Sequence, residues 1–383
     1  NSRCRRPLAC PSGDRARHSG LVSIAIVAES FLPHMHGVTG SVLQIARHLR
    51  LRGIDGTIIA PNAAGMPVSV EGVRVIGVPS VAVPGYRSLR VGTASVATMT
   101  DILTGIDAHT VHLASPFALG WRAVVAAERV GIPSVAVYQT DVAAYAERYR
   151  VSATTTLAER HITRLHRRAT LTLAPSSDAE DRLRALGVDR LRRWGRGVDS
   201  GRFHPRNRDE AWRRRVAGDD VIVGYVGRLA PEKQVADLAV LCSTPGVRVV
   251  IVGDGPSRAQ LEVALPTAVF LGHRSGDELA AIVASFDVFV HPGESETFGQ
   301  TLQEAHASGV PVVATGSGGP LDLVRSSVDG WLYRPGDLAD LRDRVLDLAG
   351  DERKRIAFGH AGQAAVAGRT WEAVCDDLLD HHR

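Results

Sequence analysis

Short apolar runs alternate with helical stretches along most of the chain, and this alternation constrains the fold more than any other feature. The first series begins with LVSIAIVA at residues 21–28 and continues through GTIIA, VRVIGV, TVHLA, SVAVYQT and ATLTLAP. A second series begins with DVIVGYVGRLAPEK at residue 220 and continues through VRVVIVGDGP, AVFLGH, FDVFVHPG and VPVVAT. Strands that alternate with helices form parallel sheets with helices on both faces. The sequence therefore predicts an α/β fold of two doubly wound, Rossmann-like domains.

The length of the chain and the position of turn-forming residues predict the domain boundaries. The 383 residues exceed what one hydrophobic core usually organises, and the Gly-, Pro- and Arg-rich stretch at 191–215 separates the two series. We predict an N-terminal domain over residues 21–199, a C-terminal domain over 200–367 and a final helix over 368–383. The polar, basic residues 1–20 predict a disordered extension. Facing domains of this kind bind ligands in the cleft bordered by the carboxyl ends of their strands.

Charge and composition narrow the class of protein only partly. The net charge is +4, and arginine supplies nearly all the positive charge because Lys233 and Lys354 are the only lysines. Such a balance suits phosphate-bearing ligands, anionic lipid surfaces and nucleic acid equally well. No apolar run reaches the roughly 18 to 20 residues that span a bilayer. Four scattered cysteines predict free thiols in a reducing, cytoplasmic compartment (Cys4, Cys10, Cys242 and Cys375).

Several polar or glycine residues follow directly after predicted strands. Gly37 lies between the first strand and the first helix, where exposed backbone N–H groups suit a phosphate. Arg228 and Lys233 follow the strand VIVGYV, and a guanidinium with an ammonium suits the two phosphates of a diphosphate. Gly253 and Gly255 in VGDGP predict either a close approach to a nucleotide base or a plain turn. These positions are candidates for binding a nucleotide.

In the stretch HPGESETFGQTLQEAHASGVPVVAT, residues 291–315, the carboxylates of Glu296 and Glu304 are separated by seven residues. A helix is predicted to start near Gly299 or Gln300, which leaves Glu296 in the loop and Glu304 about one turn inside. Glu296 is then suited to the hydroxyls of a sugar and Glu304 to a ribose, with the N–H groups of residues 298–300 between them. The alternative is that Glu296 only satisfies the helix dipole and Glu304 lies on the surface.

Together these motifs resemble the family-4 retaining glycosyltransferases of the GT-B fold. The likeness covers residues 22 to about 380 and rests on VGRLAPEK, TFGQTLQ with its flanking glutamates, ASGVPVVAT and GRGVDSGRFHP. VHLASP, YQTD and RRWGRGVD look most like the actinobacterial GDP-mannose-dependent α-mannosyltransferases that build glycolipids. Sulfoquinovosyl transferases, which use a UDP-sugar, are the nearest competing relatives. The resemblance also implies that the C-terminal helix crosses back to the N-terminal domain.

The resemblance assigns a role to each matching residue. Arg228 and Lys233 neutralise the leaving diphosphate, Glu296 holds the donor sugar and Glu304 holds the ribose. Catalytic roles also fall on two residues of YQTD, Gln139 and Asp141. Further donor-binding positions are Gly37, Arg196, Gly253, Asp254, Phe298, Gly299 and Gln300. Many members carry histidine where this chain has Gln139, and an amide cannot act as a titrating base.

The resemblance implies neither a metal nor another cofactor, only a nucleotide-sugar co-substrate. No aspartate in the chain is followed two positions later by another, so the Asp-x-Asp element that holds a divalent ion in the other large glycosyltransferase class is absent. The expected donor is GDP-mannose, and the alternative is a UDP-sugar transferred to diacylglycerol or another small acceptor. Because of Gln139, a non-catalytic protein that binds nucleotide sugars is a further alternative.

The resemblance places the acceptor, a lipid or polyol, in the N-terminal domain. VPGYRSLRVG offers Tyr86, Arg87 and Arg90, and four arginines of a predicted helix recur at spacings of three and four, namely Arg160, Arg164, Arg167 and Arg168. They predict either a solvated basic face or attraction to the anionic inner leaflet of the plasma membrane. Nucleic acid is not an expected partner, because the chain lacks an aromatic–basic RNA-binding motif.

Overall fold

Two open parallel sheets form the core of the protein in the computed structural model, which describes residues 22–33, 37–83, 86–115, 117–139 and 152–382. The predictions for residues 1–20 and for Asp141 lie outside these residues. In both sheets the central strands are buried along their length because helices cover both faces. This arrangement confirms the predicted α/β class.

The first sheet has eight strands in the order β10-β9-β8-β7-β1-β2-β4-β3, and all neighbours are parallel except β3 and β4. Its strands are β1 Ser23–Val27, β2 Asp55–Pro61, β3 Ser69–Val70, β4 Val73–Val78, β7 Thr110–Leu113, β8 Ser134–Val137, β9 Leu171–Ala174 and β10 Leu191–Arg193. A separate antiparallel pair is formed by β5 Ser80–Val83 and β6 Tyr86–Gly92.

Among the described residues, five helices accompany the first sheet: α1 Gly37–Leu51, α2 Val96–Gly105, α3 Ala118–Val130, α4 Ser152–Arg168 and α5 Ser177–Ala185. The helix α1 follows the first strand, as predicted, and Gly53 lies just past its end with a positive φ of 64°. This left-handed conformation at a helix end favours glycine over residues with a side chain.

The second sheet has six parallel strands in the order β13-β12-β11-β14-β15-β16. They are β11 Val221–Val226, β12 Val247–Val252, β13 Val269–Gly272, β14 Val288–His291, β15 Val312–Thr315 and β16 Gly330–Tyr333. The α-helices of this half are α6 Glu210–Ala217, α7 Ala239–Cys242, α8 Arg258–Ala264, α9 Gly276–Ala284, α10 Gln300–Ala307, α11 Pro320–Leu323, α12 Leu338–Ala349 and α13 Glu352–Val366. Single 3-10 turns span Pro205–Asn207, Pro231–Lys233 and Val235–Leu238.

The last helix, α14 Trp371–His381, returns to the first sheet's half of the molecule, as predicted. Its apolar face joins the buried cluster that contains Leu49 of α1, through Cys375, Leu378 and Leu379. The indole of Trp194 donates to the carbonyl of Val374 at 2.9 Å. Two buried polar contacts hold the C-terminal end of α14 in place. His382 lies 3.0 Å from the Thr110 hydroxyl and 3.2 Å from the His112 ring. The helix therefore belongs structurally to the N-terminal half.

Some elements were not predicted from the sequence. The hairpin of β5 and β6 and the strands β3, β10 and β16 each contain at most three consecutive apolar residues, too few for a clear strand prediction. We predicted the stretch around Leu191 only as a crossing between domains, but Leu191–Arg193 pairs with β9 as the edge strand of the first sheet. An edge strand is bonded on one side, so its sequence carries a weaker apolar signal.

Candidate active site

The topology of the second sheet brings the two predicted clusters together. The strand β11 pairs with β12 on one side and with β14 on the other, so the strand order reverses between β11 and β14. Loops that leave such neighbours open a crevice at their carboxyl ends. Lys233 follows β11, Glu296 follows β14, and the Lys233 Nζ lies 2.7 Å from the Glu296 Oε2. The structure thus pairs two residues that lie 63 positions apart in the sequence.

The carboxylate of Glu296 is surrounded by donors. Besides Lys233, the His291 Nε2 lies 3.3 Å from its Oε2, and its Oε1 accepts the N–H groups of Phe298 and Gly299 at 3.2 and 3.1 Å. Burial alone raises the pKa of Glu296, but the charge of Lys233 and the His291 hydrogen bond outweigh burial and hold this pKa well below its usual range. Glu296 is therefore an ionised carboxylate held in one place.

This arrangement differs from one expectation. We expected the N–H groups of Phe298 and Gly299 to face the donor, but in this structure both donate to Glu296. The side chain of Phe298 is 5% exposed and belongs to the hydrophobic core with Leu302 and Leu323, so only its backbone faces the loop. Gly299 precedes the first helical residue, as predicted, with a φ of 99° that residues with a side chain rarely adopt.

Glu304 lies inside α10 in a different electrostatic setting. Its Oε1 accepts a long hydrogen bond of 3.5 Å from the amide of Gln300, which also donates to the carbonyl of Gly197 at 3.1 Å. Burial raises the pKa of Glu304 to about 7, because no strong local cation offsets the cost of removing its charge from water. A carboxyl group in such a place is suited to accept hydrogen bonds from neutral hydroxyls.

We expect the raised pKa of Glu304 to make stability depend on pH. Folding favours the protonated form of Glu304, so this group contributes to the free energy of unfolding. The contribution is complete below the ordinary pKa of 4.5 and is lost as pH rises through about 7. Glu304→Gln should therefore raise the melting temperature relative to the wild type at pH 8 by about 2–4 °C, and by less at pH 5. Thermal unfolding of both proteins at the two pH values tests this. An equal difference at pH 5 and pH 8 would contradict it.

The remaining residues predicted for the donor side lie at neighbouring strand ends. Arg228 follows β11 and is exposed, and its carbonyl accepts the hydroxyl of Tyr225 at 3.1 Å. Gly253 has a φ of 138°, and a Cβ there would lie 1.8 Å from the Gly227 carbonyl oxygen. Glycine is thus required for the loop after β12 to pack against the loop after β11. The Asp254 carboxylate accepts from Gly255 N–H at 2.7 Å and lies 3.4 Å from Arg258.

The N-terminal half contributes residues to the same site. Gln139 lies just past β8, and its side-chain oxygen accepts a hydrogen bond from the Arg196 Nη2 at 2.7 Å. A Cβ on Gly37 would lie 3.4 Å from the Arg196 Nη1, so the guanidinium lies beside the start of α1. Burial lowers the pKa of Arg196, and the negative charge of Glu296 opposes this shift. Arg196 thus lies between the start of α1 and the loop that carries Glu296.

Sequence reasoning missed His291, Thr297 and Gln303 as parts of this site. His291 is the last residue of the buried strand β14, and a polar residue there is a usable signal. Thr297 lies next to Glu296, and its hydroxyl donates to the Gln139 carbonyl at 3.4 Å. Gln303 is fully buried and donates to the Arg196 carbonyl at 2.9 Å. Contacts between halves of the chain this far apart give no local pattern in the sequence.

Some of the residues predicted to contact the acceptor or a membrane are already engaged by other groups of the protein. The Arg90 guanidinium is held by the hydroxyl and carbonyl of Ser80, at 2.8 and 3.2 Å. Arg167 donates to the carbonyls of residues 186 and 187, and Arg168 pairs with Glu128 and lies over the Trp121 ring. Arg160 and Arg164 are exposed on α4. Tyr86 and Arg87 belong to β6, but their side chains lie outside the described part of the chain.

The fold and site define a two-domain transferase of the GT-B type. The fold matches the solved sucrose-phosphate synthase from Thermosynechococcus elongatus with a TM-score of 0.78 over 94% of this chain and 98% of that chain, at 19% identity. Residues 35–202 match the model of "Glycosyltransferase Family 4" and residues 207–365 that of "Glycosyl transferases group 1". The chain belongs to this glycosyltransferase family and is a glycosyltransferase, as predicted.

Two curated relatives show where the chain lies within the family. A "GDP-mannose-dependent alpha-mannosyltransferase" of Mycolicibacterium smegmatis is 48% identical over 365 residues, which cover 94% of this chain and 96% of the relative. A sulfoquinovosyl transferase of Arabidopsis thaliana is 34% identical over 365 residues, covering 92% of this chain and 71% of that protein. The predicted resemblance to the actinobacterial enzymes is confirmed.

Proposed function

We propose that the protein transfers mannose from GDP-mannose, with retention of configuration, to a lipid-linked or polyol acceptor. The observation that carries this proposal is the partly buried pair of Lys233 and Glu296 at the point where the strand order reverses. The choice of GDP-mannose is supported by the name and the 48% identity of the mycobacterial relative.

The proposed mechanism places positive charge where the leaving group forms. The bond from the anomeric carbon to the diphosphate oxygen breaks, and a new bond to the acceptor oxygen forms on the same face of the sugar. The acceptor's hydroxyl proton passes to the departing phosphate oxygen, so no titrating side chain is needed at Gln139. Lys233 and Arg228 stabilise the negative charge on the diphosphate. Electrostatic stabilisation of this kind usually contributes most to the rate enhancement of an enzyme.

The carboxylates bind the two ends of the donor in this proposal. Glu296, ionised and fixed by four donors, accepts hydrogen bonds from hydroxyls of the transferred sugar. Glu304, whose pKa is about 7, accepts hydrogen bonds from the ribose hydroxyls. Gly37 leaves room for the backbone at the start of α1 to approach the phosphates, and the loop after β12 that carries Gly253 lies beside the base.

A screen of nucleotides tests the donor. Binding raises the melting temperature by mass action, so GDP and GDP-mannose should stabilise the protein at concentrations where UDP, ADP and their sugars do not. Mannose transfer from labelled GDP-mannose to membrane lipid or inositol-type acceptors then tests the reaction. Stabilisation by UDP alone would overturn the proposed donor and favour the UDP-sugar alternative.

We propose further that the reaction needs no metal ion, because Lys233 and Arg228 supply the charge that a divalent ion would supply. Initial rates measured with and without EDTA should agree. Activity that is lost on chelation and restored by Mn²⁺ would contradict the proposal.

For the acceptor we propose that the protein works on the inner face of the plasma membrane. Among the described residues no helix is long and apolar enough to cross a membrane. The exposed Arg160 and Arg164 support surface attraction, at about 1 kcal/mol for each basic residue near an anionic leaflet.

The double variant Arg160→Ala/Arg164→Ala should bind vesicles containing phosphatidylglycerol about 30-fold more weakly than the wild type, since two charges are lost. Sedimentation with vesicles measures this. The matched control is Arg342→Ala/Arg353→Ala, which removes two exposed arginines from the second half. Equal weakening by both double variants would show that only net charge matters and would remove α4 from the proposal.

A further inference from the structure

The amide of Gln139 has a fixed orientation in the cleft. Its side chain is 8% exposed, and its oxygen accepts the hydrogen bond from Arg196 at 2.7 Å. A guanidinium only donates hydrogen bonds, so the end of the amide that faces Arg196 must be the oxygen. The amide nitrogen therefore points away from Arg196. Among the described residues this buried nitrogen has no hydrogen-bond partner.

The backbone of Arg196 is held by the second half of the molecule. Gln303 and Gln300 lie on α10 and donate to the carbonyls of Arg196 and Gly197, at 2.9 and 3.1 Å. Gln303 is fully buried, so its hydrogen bond to the Arg196 carbonyl does not depend on an exposed side chain. The helix that presents Glu304 thus sets where the Arg196 guanidinium can reach.

A second contact links Gln139 to the loop that carries Glu296. The Thr297 hydroxyl donates to the Gln139 backbone carbonyl at 3.4 Å. Gln139 is therefore placed from two directions, through its backbone by Thr297 and through its amide by Arg196. Both contacts originate from the segments that surround the proposed donor site.

We propose that Arg196 is a positioning residue, which fixes the Gln139 amide so that its nitrogen donates a hydrogen bond to an oxygen of the bound nucleotide sugar. This inference rests on the proposed function of the same cleft. The recognised chemistry is a hydrogen-bond acceptor, either a hydroxyl of the transferred sugar or an oxygen of the diphosphate. A buried donor left without a partner is costly, and the ligand oxygen supplies the partner.

A double-mutant cycle tests whether Arg196 acts through Gln139. We expect Arg196→Met and Gln139→Met each to lower kcat/KM about 30-fold, since each removes one oriented hydrogen bond of the bound state. If Arg196 acts through the amide, the double variant should also lose about 30-fold, because residues that act as a unit are not additive. A loss near the product, about 1000-fold, would overturn the proposal and show direct action on the donor.

Two conservative variants separate positioning from a purely structural role. Arg196→Lys keeps a donor-only cation facing the amide oxygen and should keep most of the activity. Gln139→Glu keeps the contact with Arg196 but offers no donor, so it should be as impaired as Gln139→Met. Near-normal transfer by Gln139→Glu would contradict the proposed role of the amide nitrogen.

Binding measurements identify the ligand oxygen and keep the two proposals apart. If the amide contacts the sugar, Gln139→Met should lower the affinity for GDP-mannose and leave the affinity for GDP unchanged. If the amide contacts the diphosphate, the affinity for both should fall. Unchanged affinity for both would refute the contact. If the wild type does not use GDP-mannose, the proposed donor fails, and the cycle is run with the sugar nucleotide that stabilises the protein. Thermal unfolding of each variant excludes loss of folding as the cause.

Discussion

We expect Lys233→Ala to lower kcat/KM for sugar transfer by about 100- to 1000-fold while the protein still folds. Removal of one well-placed donor to developing charge costs about 3–4 kcal/mol in comparable sites, which gives this factor. The ammonium of Lys233 has a second task, because it holds Glu296 ionised. Its loss therefore weakens both the stabilisation of the leaving group and the proposed contact with the sugar.

The chain offers a matched control for this variant in its only other lysine. Lys354 pairs with Asp347 at 2.6 Å in the second half of the molecule. Lys354→Ala makes the same change of charge and should keep nearly full activity. Initial rates and circular dichroism measured on both variants decide the point. Near-normal transfer by Lys233→Ala would remove Lys233 from the proposed mechanism.

Glu296→Gln should have an effect of similar size on transfer but a different effect on binding. The amide keeps the shape of the side chain and loses its charge, so we expect kcat/KM for transfer to fall about 100-fold or more. GDP carries no sugar, so its affinity should stay the same or increase, because Lys233 is released to bind phosphate. Calorimetry with GDP and kinetics with the sugar nucleotide measure the two quantities separately.

The control for this variant lies two residues away. Glu294 accepts a hydrogen bond from the Gln234 amide at 3.2 Å and belongs to the same loop. Glu294→Gln should leave transfer within a few-fold of the wild type. A large loss of GDP affinity in Glu296→Gln would instead place Glu296 at the nucleotide and would revise the roles of the two carboxylates.

The sequence predicted the α/β class and the strand-to-helix junctions because these depend on local patterns. Val73–Val78 is a strand along the whole predicted run, and α10 begins at Gln300. The pairing of Lys233 with Glu296 was also within reach, since a doubly wound sheet places successive strand ends at one edge.

Other features depend on contacts between distant residues and could not be predicted. The orientation of the Gln139 amide is set by Arg196, 57 positions later, and the backbone of Arg196 is set by Gln303, 107 positions later again. The donation from the Phe298 and Gly299 N–H groups to Glu296, two and three positions earlier, is a local contact, but it depends on how the loop folds back over its own carboxylate. No periodicity of the chain encodes such contacts.

The return of α14 to the first half has a consequence for the order of events during synthesis. The surface formed by Leu49 and Trp194 leaves the ribosome long before its cover, which includes Leu378 and Leu379. Until those residues emerge, the nascent chain displays an apolar surface that a chaperone can recognise, and the N-terminal half finishes its assembly only after the other half has been made.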